Sequence, residues 1–334
     1  MVHWQKSMLQ RHHILQKELL ALLKNFGLEK VKKITPFPTS GNIAYKIETS
    51  KGKYFLRLCP DGQRWRSKGE IQAEIELLEY LKKRRFPVSE PICAKNGKKI
   101  ISLGNRHGYL RKFIEGKEKL HPMREEIKKL GKILGTFHTL TENYKTAHKR
   151  KHVWDLNQTK KYFKEDRKII LKSNFKDKKK FVHLVEQELS KLHFPQNLPS
   201  GTIHEDLGKR HVIWNRGKIV SVIDFDRAYY GKLVLDLGQA ARGWCFKNNW
   251  KSWSNENLKA LLQGYESKRR LTLLEKKYLQ DAIKFAILER AISFALRYAH
   301  TTHDVKDEKF ALDSLSTLLS LINRNEAAIG EIIV

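Results

Sequence analysis

Two aspartates, Asp206 and Asp224, each follow an apolar stretch typical of a buried strand, in the segment GTIHEDLGKRHVIWNRGKIVSVIDFD at 201–226. Strand ends joined by short loops hold reactive groups on rigid supports. Two carboxylates converging on one cleft would suit phosphoryl transfer: one accepts the proton of an attacking hydroxyl, and the other holds magnesium against phosphate oxygens. Either aspartate alone could instead be a turn former or a helix N-cap.

The surrounding pattern favours the chemical interpretation. His204, Asp206 and His211 come in order before a short turn containing NRGK and then VIDFD. A composite of several independent parts is much rarer than a single aspartate after a strand. We therefore expect a phosphoryl-transfer site built on this segment.

The elements that must position these residues follow from hydrophobic spacing. Apolar residues at helical spacing predict an amphipathic helix over 9–26, and alternation in NIAYKIETSKGKYFLRL predicts a hairpin with its turn at Ser50 to Gly52. EIQAEIELLEYLKKRRF predicts a helix that must end before Pro87 and Pro91. Two further strands, KKIISLG and HGYLRKFIEG, complete a small sheet.

The chain is predicted to become mainly helical after Gly116. Helical patterns occur in EEIKKLGKILGTFHTL and over 277–299 and 308–323, while 117–195 also contains a basic polar stretch. The sequence therefore predicts an α+β architecture, with a small antiparallel-sheet N-lobe and a mainly helical C-lobe.

Composition narrows the class of protein. The formal net charge is +30, but the basic residues are scattered through tracts such as KKRR at 82–85 and HKRKH at 148–152, which are typical of solvated faces. Nucleic acid is therefore an unfavoured partner. No apolar run is long enough for a membrane span, and the N-terminus does not resemble a signal peptide. Three well-separated cysteines predict small core or semi-buried fillers rather than disulfides. We expect a cytoplasmic protein.

The segment IHEDLGKRHVIWNRGKIVSVIDFDRAYYGKLVLDLGQ resembles the catalytic core of the aminoglycoside phosphotransferase and choline kinase superfamily, with its pattern H-x-D-x-x-x-x-N followed by a strand and I-D-F/W. DLGQAARGWCF, ALLQGYESKRRLTLLEKKYL and AISFALRY further resemble the homoserine kinase branch. The resemblance implies a bilobal, protein kinase-like fold. It places an N-terminal extension at 1–17, a nucleotide-binding N-lobe at 18–108, a hinge at 109–116 and a C-lobe at 117–334.

The resemblance also implies roles for single residues. Asp206 would be the general base or hydroxyl-orienting carboxylate, and Asp224 the main magnesium ligand. His204 would hydrogen-bond the catalytic loop, and Asp236 would brace that loop from the start of a helix. The residues implied for the nucleotide are Ser40, Gly41, Asn42, Arg57, its ion-pair partner Glu74, Arg111 and Phe113; those implied for the wall of the acceptor site are Glu205, Asp226, Tyr229, Arg242 and Trp244.

Some positions depart from the family pattern. His211 stands where a second metal ligand, Asn, is expected, and imidazole is a poor ligand for Mg²⁺ unless it acts through water. Ser40 to Asn42 lie in a loop without a glycine-rich run and could form an ordinary turn. The partner of Arg57 could also be Glu70, one helical turn before Glu74.

The sequence thus predicts a small-molecule kinase that uses ATP and Mg²⁺ to phosphorylate a hydroxyl of an amine-bearing acceptor. Homoserine or a related amino alcohol is the best single choice, and an amino sugar or a choline-like compound stays open. The alternatives are a catalytically impaired kinase-like scaffold and a basic protein that binds polyanions. The sequence leaves the choice between ATP and GTP and the oligomeric state open.

Overall fold

A five-stranded antiparallel sheet begins the fold in the computed structural model, which describes residues 16–39, 42–59, 67–148, 150 and 153–333. The strands have the order β1-β2-β3-β5-β4. Their bounds are β1 (Val31–Pro36), β2 (Ile43–Thr49), β3 (Gly52–Leu58), β4 (Ile100–Leu103) and β5 (Arg106–Lys112). The predicted hairpin and the two further strands are present, and β1 is an edge strand that the sequence analysis did not predict.

Side chains alternate in direction along the hairpin, so the sheet has two different faces. Ile43 pairs with Leu58, Tyr45 with Leu56, and Ile47 with Tyr54 in the β2–β3 register. These side chains enter one buried apolar cluster together with Leu19 and Leu23 of helix α1 (Gln16–Lys24). Because successive side chains of a strand point to opposite faces, Arg57 lies on the face away from this cluster.

The described chain forms two compact units that are discontinuous in sequence. Unit 1 comprises 1–117, 145–152 and 213–226, and unit 2 comprises 118–144, 153–212 and 227–334. Unit 1 contains the sheet, α1, helix α2 (Lys68–Lys83) and most of a small hairpin formed by β7 (Val212–Asn215) and β8 (Lys218–Val222). The predicted lobe ranges and the hinge at 109–116 remain predictions.

Unit 2 is mainly helical. Its helices are α3 (Arg124–Thr141), α4 (Leu156–Lys172), α5 (Lys178–Lys191), α6 (Leu233–Cys245), α7 (Asn255–Glu266), α8 (Leu273–Arg297), α9 (Val305–Asp313), α10 (Ser320–Arg324) and α11 (Glu326–Ile333), with π-helical segments at Tyr298–Thr302 and Ser314–Leu319. Two short strand pairs, β6 (Ser200–Ile203) with β9 (Tyr229–Lys232) and β10 (Phe246–Lys247) with β11 (Ser252–Trp253), interrupt the helices. An α+β architecture with a small antiparallel sheet is therefore confirmed.

Close backbone contacts hold the helices of unit 2 together. A Cβ on Gly131 of α3 would lie 2.1 Å from the carbonyl oxygen of Leu261 in α7, and one on Gly264 of α7 would lie 2.0 Å from that of Lys128. Only glycine permits this approach, since a Cβ would enter the facing backbone. Among the described residues, no helix is long and apolar enough to cross a membrane.

Candidate active site

The turn after β8 carries Asp224. The backbone N–H of Val222, the last residue of β8, donates to the carbonyl of Pro87 at 2.7 Å, which fixes the end of the strand. Asp224 then adopts a left-handed conformation with φ of 69°, and its side chain is 35% exposed. Left-handed backbone at a non-glycine residue is uncommon and clusters at functional sites. The geometry presents a solvated carboxylate from a constrained turn.

Arg57 links this aspartate to helix α2 within unit 1. Its Nη2 lies 2.5 Å from Oε2 of Glu74, and its Nη1 lies 3.5 Å from Oδ1 of Asp224. Oε1 of Glu74 accepts a hydrogen bond of 2.9 Å from the Tyr109 hydroxyl. The predicted partner of Arg57 is therefore Glu74 and not Glu70. Removing either member of so buried a pair would cost about 3–5 kcal/mol, because the other charge would be left uncompensated.

Electrostatics keep the Arg57 guanidinium charged although it is buried. Burial by itself lowers the pKa of Arg57, but Glu74 and Tyr109 outweigh that cost and raise it well above its usual range. The neighbouring Arg111 has a lowered pKa, because desolvation and the like charge of Arg57 disfavour its charged form. A permanently charged guanidinium beside Asp224 can hold phosphate oxygens as well as carboxylates.

The other residues predicted to bind the nucleotide also belong to unit 1, as far as the structure describes them. The Arg111 guanidinium lies over the Phe55 ring, with 4.4 Å to its centroid. The Phe113 backbone N–H donates to the carbonyl of Lys53, and that of Asn42 donates to the Thr39 hydroxyl at 3.1 Å, a turn-forming contact. Ser40 and Gly41 lie outside the described residues, so their predicted role remains a prediction.

Asp236, at the beginning of α6, braces the loop of unit 2 that carries Asp206, the predicted catalytic loop. Its carboxylate accepts hydrogen bonds from the backbone N–H groups of His204 at 2.7 Å and Glu205 at 2.9 Å. His138 on α3 contacts the same carboxylate at 3.0 Å and the Tyr265 hydroxyl at 2.7 Å. Burial opposes ionisation of Asp236, but the hydrogen bond with His138 lowers its pKa. Asp236 is therefore a buried anion that fixes the backbone just before Asp206.

His204 and Trp244 complete the support of this loop. His204 Nδ1 accepts from the backbone N–H of Asp206 at 3.2 Å, which agrees with the expected hydrogen bond to the loop. The Trp244 indole N–H donates to the carbonyl of Leu207 at 2.8 Å, and its side chain is fully buried. Trp244 thus lies behind the loop, and its place in the wall of the acceptor site stays a prediction.

Two basic side chains approach the Asp206 carboxylate. Nη2 of Arg290, on α8, lies 2.5 Å from Oδ1 of Asp206, and Nδ1 of His211 lies 3.9 Å from the same oxygen. Burial raises the pKa of Asp206, but Arg290 and His211 outweigh it and hold this pKa well below its usual range. Asp206 is therefore ionised at neutral pH and can accept a hydrogen bond from a hydroxyl.

His211 contacts the catalytic loop through Nδ1, which hydrogen-bonds the carbonyl oxygen of Asp206. A carbonyl can only accept, so Nδ1 carries the proton and Nε2 is the acceptor in the neutral ring. Its predicted part in metal binding could therefore involve only Nε2, directly or through water.

A buried network of charges lies beside Asp206. Arg227 bridges the carboxylates of Glu205 and Glu289, the latter at 2.6 Å, and Gln239 donates to both, at 3.0 and 3.4 Å. Arg242 donates from Nε to the Gln239 side-chain oxygen at 3.1 Å. Burial raises the pKa of Glu205, whereas Arg227 and Arg290 overcome the same effect and lower the pKa of Glu289. Three acids and three arginines thus share one water-poor site.

Comparison with known proteins identifies the family. A profile of the phosphotransferase enzyme family, APH, matches residues 33–271 of the chain. The chain belongs to this family. As predicted, this phosphotransferase is a small-molecule kinase.

Similar proteins agree in sequence and in fold. A homoserine kinase of Caulobacter vibrioides is 28% identical over 244 residues, covering 71% of this chain and 73% of the relative. One of Brucella anthropi is 23% identical over 280 residues, covering 81% and 79%. The predicted superfamily and branch are confirmed.

Two solved structures that resemble the phosphotransferase in fold are those of kinases. An amicoumacin kinase in complex with AMP-PNP, Ca²⁺ and Ami superposes with a TM-score of 0.69 at 16% identity, covering 93% of this chain and 99% of that one. A microcompartment-associated aminopropanol kinase has a TM-score of 0.68 at 17% identity, covering 95% and 99%. The protein kinase-like fold is therefore confirmed.

The residues of the phosphotransferase fit a magnesium ion that is shared with a nucleotide. Among the described residues, no group of three or more His, Cys, Asp or Glu side chains could hold a metal by itself. Mg²⁺ is commonly bound through one or two carboxylates together with substrate phosphates. The solvated carboxylate of Asp224 next to Arg57 has the chemistry that such a shared ion needs.

The remaining acceptor candidates are buried. Glu205, Asp226, Tyr229 and Arg242 are each at most 7% exposed. The Tyr229 hydroxyl is buried without a hydrogen-bond partner among the described residues. Burial also raises its pKa well above the usual range, so it stays protonated and can donate.

Sequence reasoning missed four members of the charge network, Arg227, Gln239, Glu289 and Arg290. One signal was available: Glu289 and Arg290 are a charged pair inside the apolar stretch AILERAISFAL of α8. Charged residues in such a stretch are almost never fully buried unless they are paired. Their partners lie 50 to 84 residues away in sequence, and that pattern does not identify them.

Proposed function

We propose that the chain transfers the terminal phosphate of ATP, with Mg²⁺, to a hydroxyl of a small amine-bearing acceptor, and that homoserine is the best acceptor. The single observation that carries the proposal is the environment of the Asp206 carboxylate. It is a braced carboxylate, ionised by Arg290, and it lies in a pocket of paired charges. Phosphoryl transfer depends mainly on positioning and charge neutralisation, and this arrangement provides both.

Each unit would contribute a different function to the reaction. In unit 2, Asp206 would accept a hydrogen bond from the acceptor hydroxyl and orient its oxygen for attack. In unit 1, Asp224 would hold the metal, and Arg57 would bind phosphate oxygens while Glu74 keeps it in place. Mg²⁺ supplies neutralisation of the negative charge on the phosphate oxygens. Asp206, with its low pKa, acts mainly by orientation.

The environment of Arg242 favours an acceptor that carries a carboxylate. Its side chain is 7% exposed, and among the described residues no carboxylate lies within ion-pair distance of its guanidinium. Within the part of the chain that the structure describes, its close polar contact is the Gln239 oxygen, and the Trp250 ring lies 5.5 Å away. Burial and the like charge of Arg290 lower its pKa to about 10. A ligand carboxylate would relieve this unfavourable state, as a charge-assisted fork does.

The backbone around Trp250 also suggests an acceptor wall. Asn248, Asn249 and Trp250 are three successive residues with positive φ, at 51°, 53° and 72°. Such a conformation costs of order 1–3 kcal/mol per residue and persists only where the surrounding structure imposes it. Here it places an indole over Arg242, and aromatic faces also suit an ammonium group.

The test compares one acceptor that carries a carboxylate with three that lack it. ADP release would be measured with L-homoserine, 3-aminopropanol, an amino sugar and choline, with Asp206→Asn as the negative control. We expect homoserine to be preferred over 3-aminopropanol, and Arg242→Gln to remove that preference by raising the KM for homoserine alone. Equal rates with and without the acceptor carboxylate would contradict the choice of homoserine, and no ADP release with any acceptor would contradict the kinase function.

The state of the cysteines supports a reducing compartment such as the cytoplasm. Cys59 and Cys245 are buried and free, as expected for fillers, whereas Cys93 is free and exposed, contrary to the prediction of a core or semi-buried filler. An exposed free thiol fits a cellular compartment that keeps thiols reduced.

A further inference from the structure

The segment 145–152 contains a buried arginine where the sequence predicts a solvated basic tract. It belongs to unit 1, although its neighbours in sequence on both sides belong to unit 2. Arg150 has a side chain only 7% exposed, and its Nη1 lies 3.2 Å from Oε2 of Glu70 on α2, whose side chain is 4% exposed. A charge buried to this degree needs a structural or functional reason.

The same guanidinium also contacts the aspartate turn, residues 224–226, which follows β8. Nη2 of Arg150 donates to the carbonyl of Phe225 at 3.0 Å, and Nη1 donates to that of Asp226. These are the two residues that directly follow Asp224, whose own φ is positive. Because a planar guanidinium donates in a fixed fork, two bonds to successive carbonyls set the orientation of both peptide planes.

Further contacts hold this segment against α2. The carboxylate of Glu76 accepts from the hydroxyl of Thr146 at 2.6 Å and from the backbone N–H of Ala147 at 3.2 Å, and His148 contacts it at 2.5 Å. The anchoring at Glu76 places Arg150 beside Glu70 independently of the charge on Arg150 itself.

Helix α2 thereby connects to the aspartate turn through two arginines. Arg57 joins Glu74 to the Asp224 side chain, and Arg150 joins Glu70 to the backbone that follows it. Glu70 and Glu74 are four residues apart and so lie on the same face of the helix. The side chain and the backbone of one turn are thus both tied to one helix.

We propose that Arg150 is a positioning residue that sets the direction of the Asp224 carboxylate towards metal-bound nucleotide. The inference rests on the proposed function, because it takes Asp224 as the metal ligand. In this role Arg150 would not itself bind substrate or metal. It acts by fixing the peptides at 225 and 226, as residues behind a ligand do in many metal sites.

The test measures metal dependence rather than rate alone. Arg150→Ala and Arg150→Lys would be compared with Lys145→Ala, which removes an exposed lysine of the same segment. We expect Arg150→Ala to raise the Mg²⁺ concentration for half-maximal activity by about 10- to 100-fold, the usual effect of losing a residue that orients a metal ligand. The KM for the acceptor should change less than about twofold, because the substitution removes no contact with the acceptor. Lys145→Ala should match the wild type.

Chemical rescue separates positioning from simple loss of stability. Guanidinium chloride at millimolar concentration should restore metal affinity to Arg150→Ala, whereas Arg150→Lys should stay impaired, since an ammonium cannot form the fork. Glu70→Gln, which leaves both carbonyl bonds in place, should show a smaller rise in the Mg²⁺ requirement and serves if Arg150→Ala folds poorly.

A measurement without turnover makes the outcomes distinguishable. The rise in melting temperature caused by Mg²⁺ with ADP would be recorded for each folded variant. A normal rise in both Arg150→Ala and Glu70→Gln, with unchanged metal dependence, would overturn the role of Arg150 alone. A wild-type chain that shows no rise would overturn the proposed function, and this inference with it.

Discussion

The guanidinium of Arg290 lies against the carboxylate of Asp206, with 2.5 Å between Nη2 and Oδ1. The two residues are 84 positions apart in sequence and come from α8 and from the loop after β6. The contact explains why Asp206 has a low pKa despite burial. An ionised carboxylate of low basicity favours orientation of the attacking hydroxyl over strong proton abstraction.

Replacing Asp206 by Asn should separate catalysis from nucleotide binding. We expect turnover to fall by about 10²- to 10⁴-fold, the size of general acid–base effects, while the nucleotide still binds. The amide preserves the shape of the side chain but offers one acceptor oxygen instead of two. Turnover would be followed by ADP release and binding by thermal shift. An unaltered rate would exclude Asp206 from the reaction.

Replacing Arg290 by Gln should change the pH profile of kcat/KM. Arg290 lowers the pKa of Asp206, so its loss should raise that pKa and move the acidic limb to higher pH by about one pH unit or more. Arg290→Lys, which keeps the charge, should show a smaller displacement. Arg324→Gln, at an exposed position of α10, is the control. An acidic limb at the same pH in Arg290→Gln would mean that Arg290 does not tune Asp206.

Replacing Asp224 by Ala should abolish the metal-dependent part of nucleotide binding. A nucleotide at 100 times its dissociation constant stabilises a folded protein by about 2.7 kcal/mol. We expect the wild type to gain this stability from ADP only when Mg²⁺ is present, and Asp224→Ala to gain none from the metal. Glu125→Ala removes one exposed negative charge from α3 and should behave as the wild type. The same Mg²⁺ effect in Asp224→Ala would assign the metal elsewhere.

Replacing Gly108 by Ala should disturb the strand that carries Arg57. A Cβ at this position of β5 would lie 1.8 Å from the carbonyl oxygen of Arg57 in the paired strand β3. Because backbone cannot move aside cheaply, we expect a loss of at least about 1–3 kcal/mol in the free energy of unfolding, measured in urea. Gly69→Ala in α2 meets nothing within 4 Å and should be neutral or stabilising. Equal stability of the two variants would contradict this packing.

Local patterns predicted the elements well where one periodicity dominated. The hairpin over β2 and β3 and the helices α2 and α3 follow from alternation or helical spacing, because each buries a single face. The basic stretch before residue 195 contains α4 and α5, which hydrophobic spacing did not predict. Their many lysines obscured the apolar face formed by residues such as Phe163 and Val185.

The sequence by itself determined the order of the site residues, because Asp206, Asp224 and Asp236 stand in a local pattern whose spacing is read directly along the chain. Only the tertiary structure decided which distant charges meet them. Glu74 rather than Glu70 pairs with Arg57, Arg150 is buried rather than solvated, and Arg290 of α8 contacts Asp206. The physical reason is that a buried charge takes its partner from whichever element packs against it, and no local periodicity records that choice.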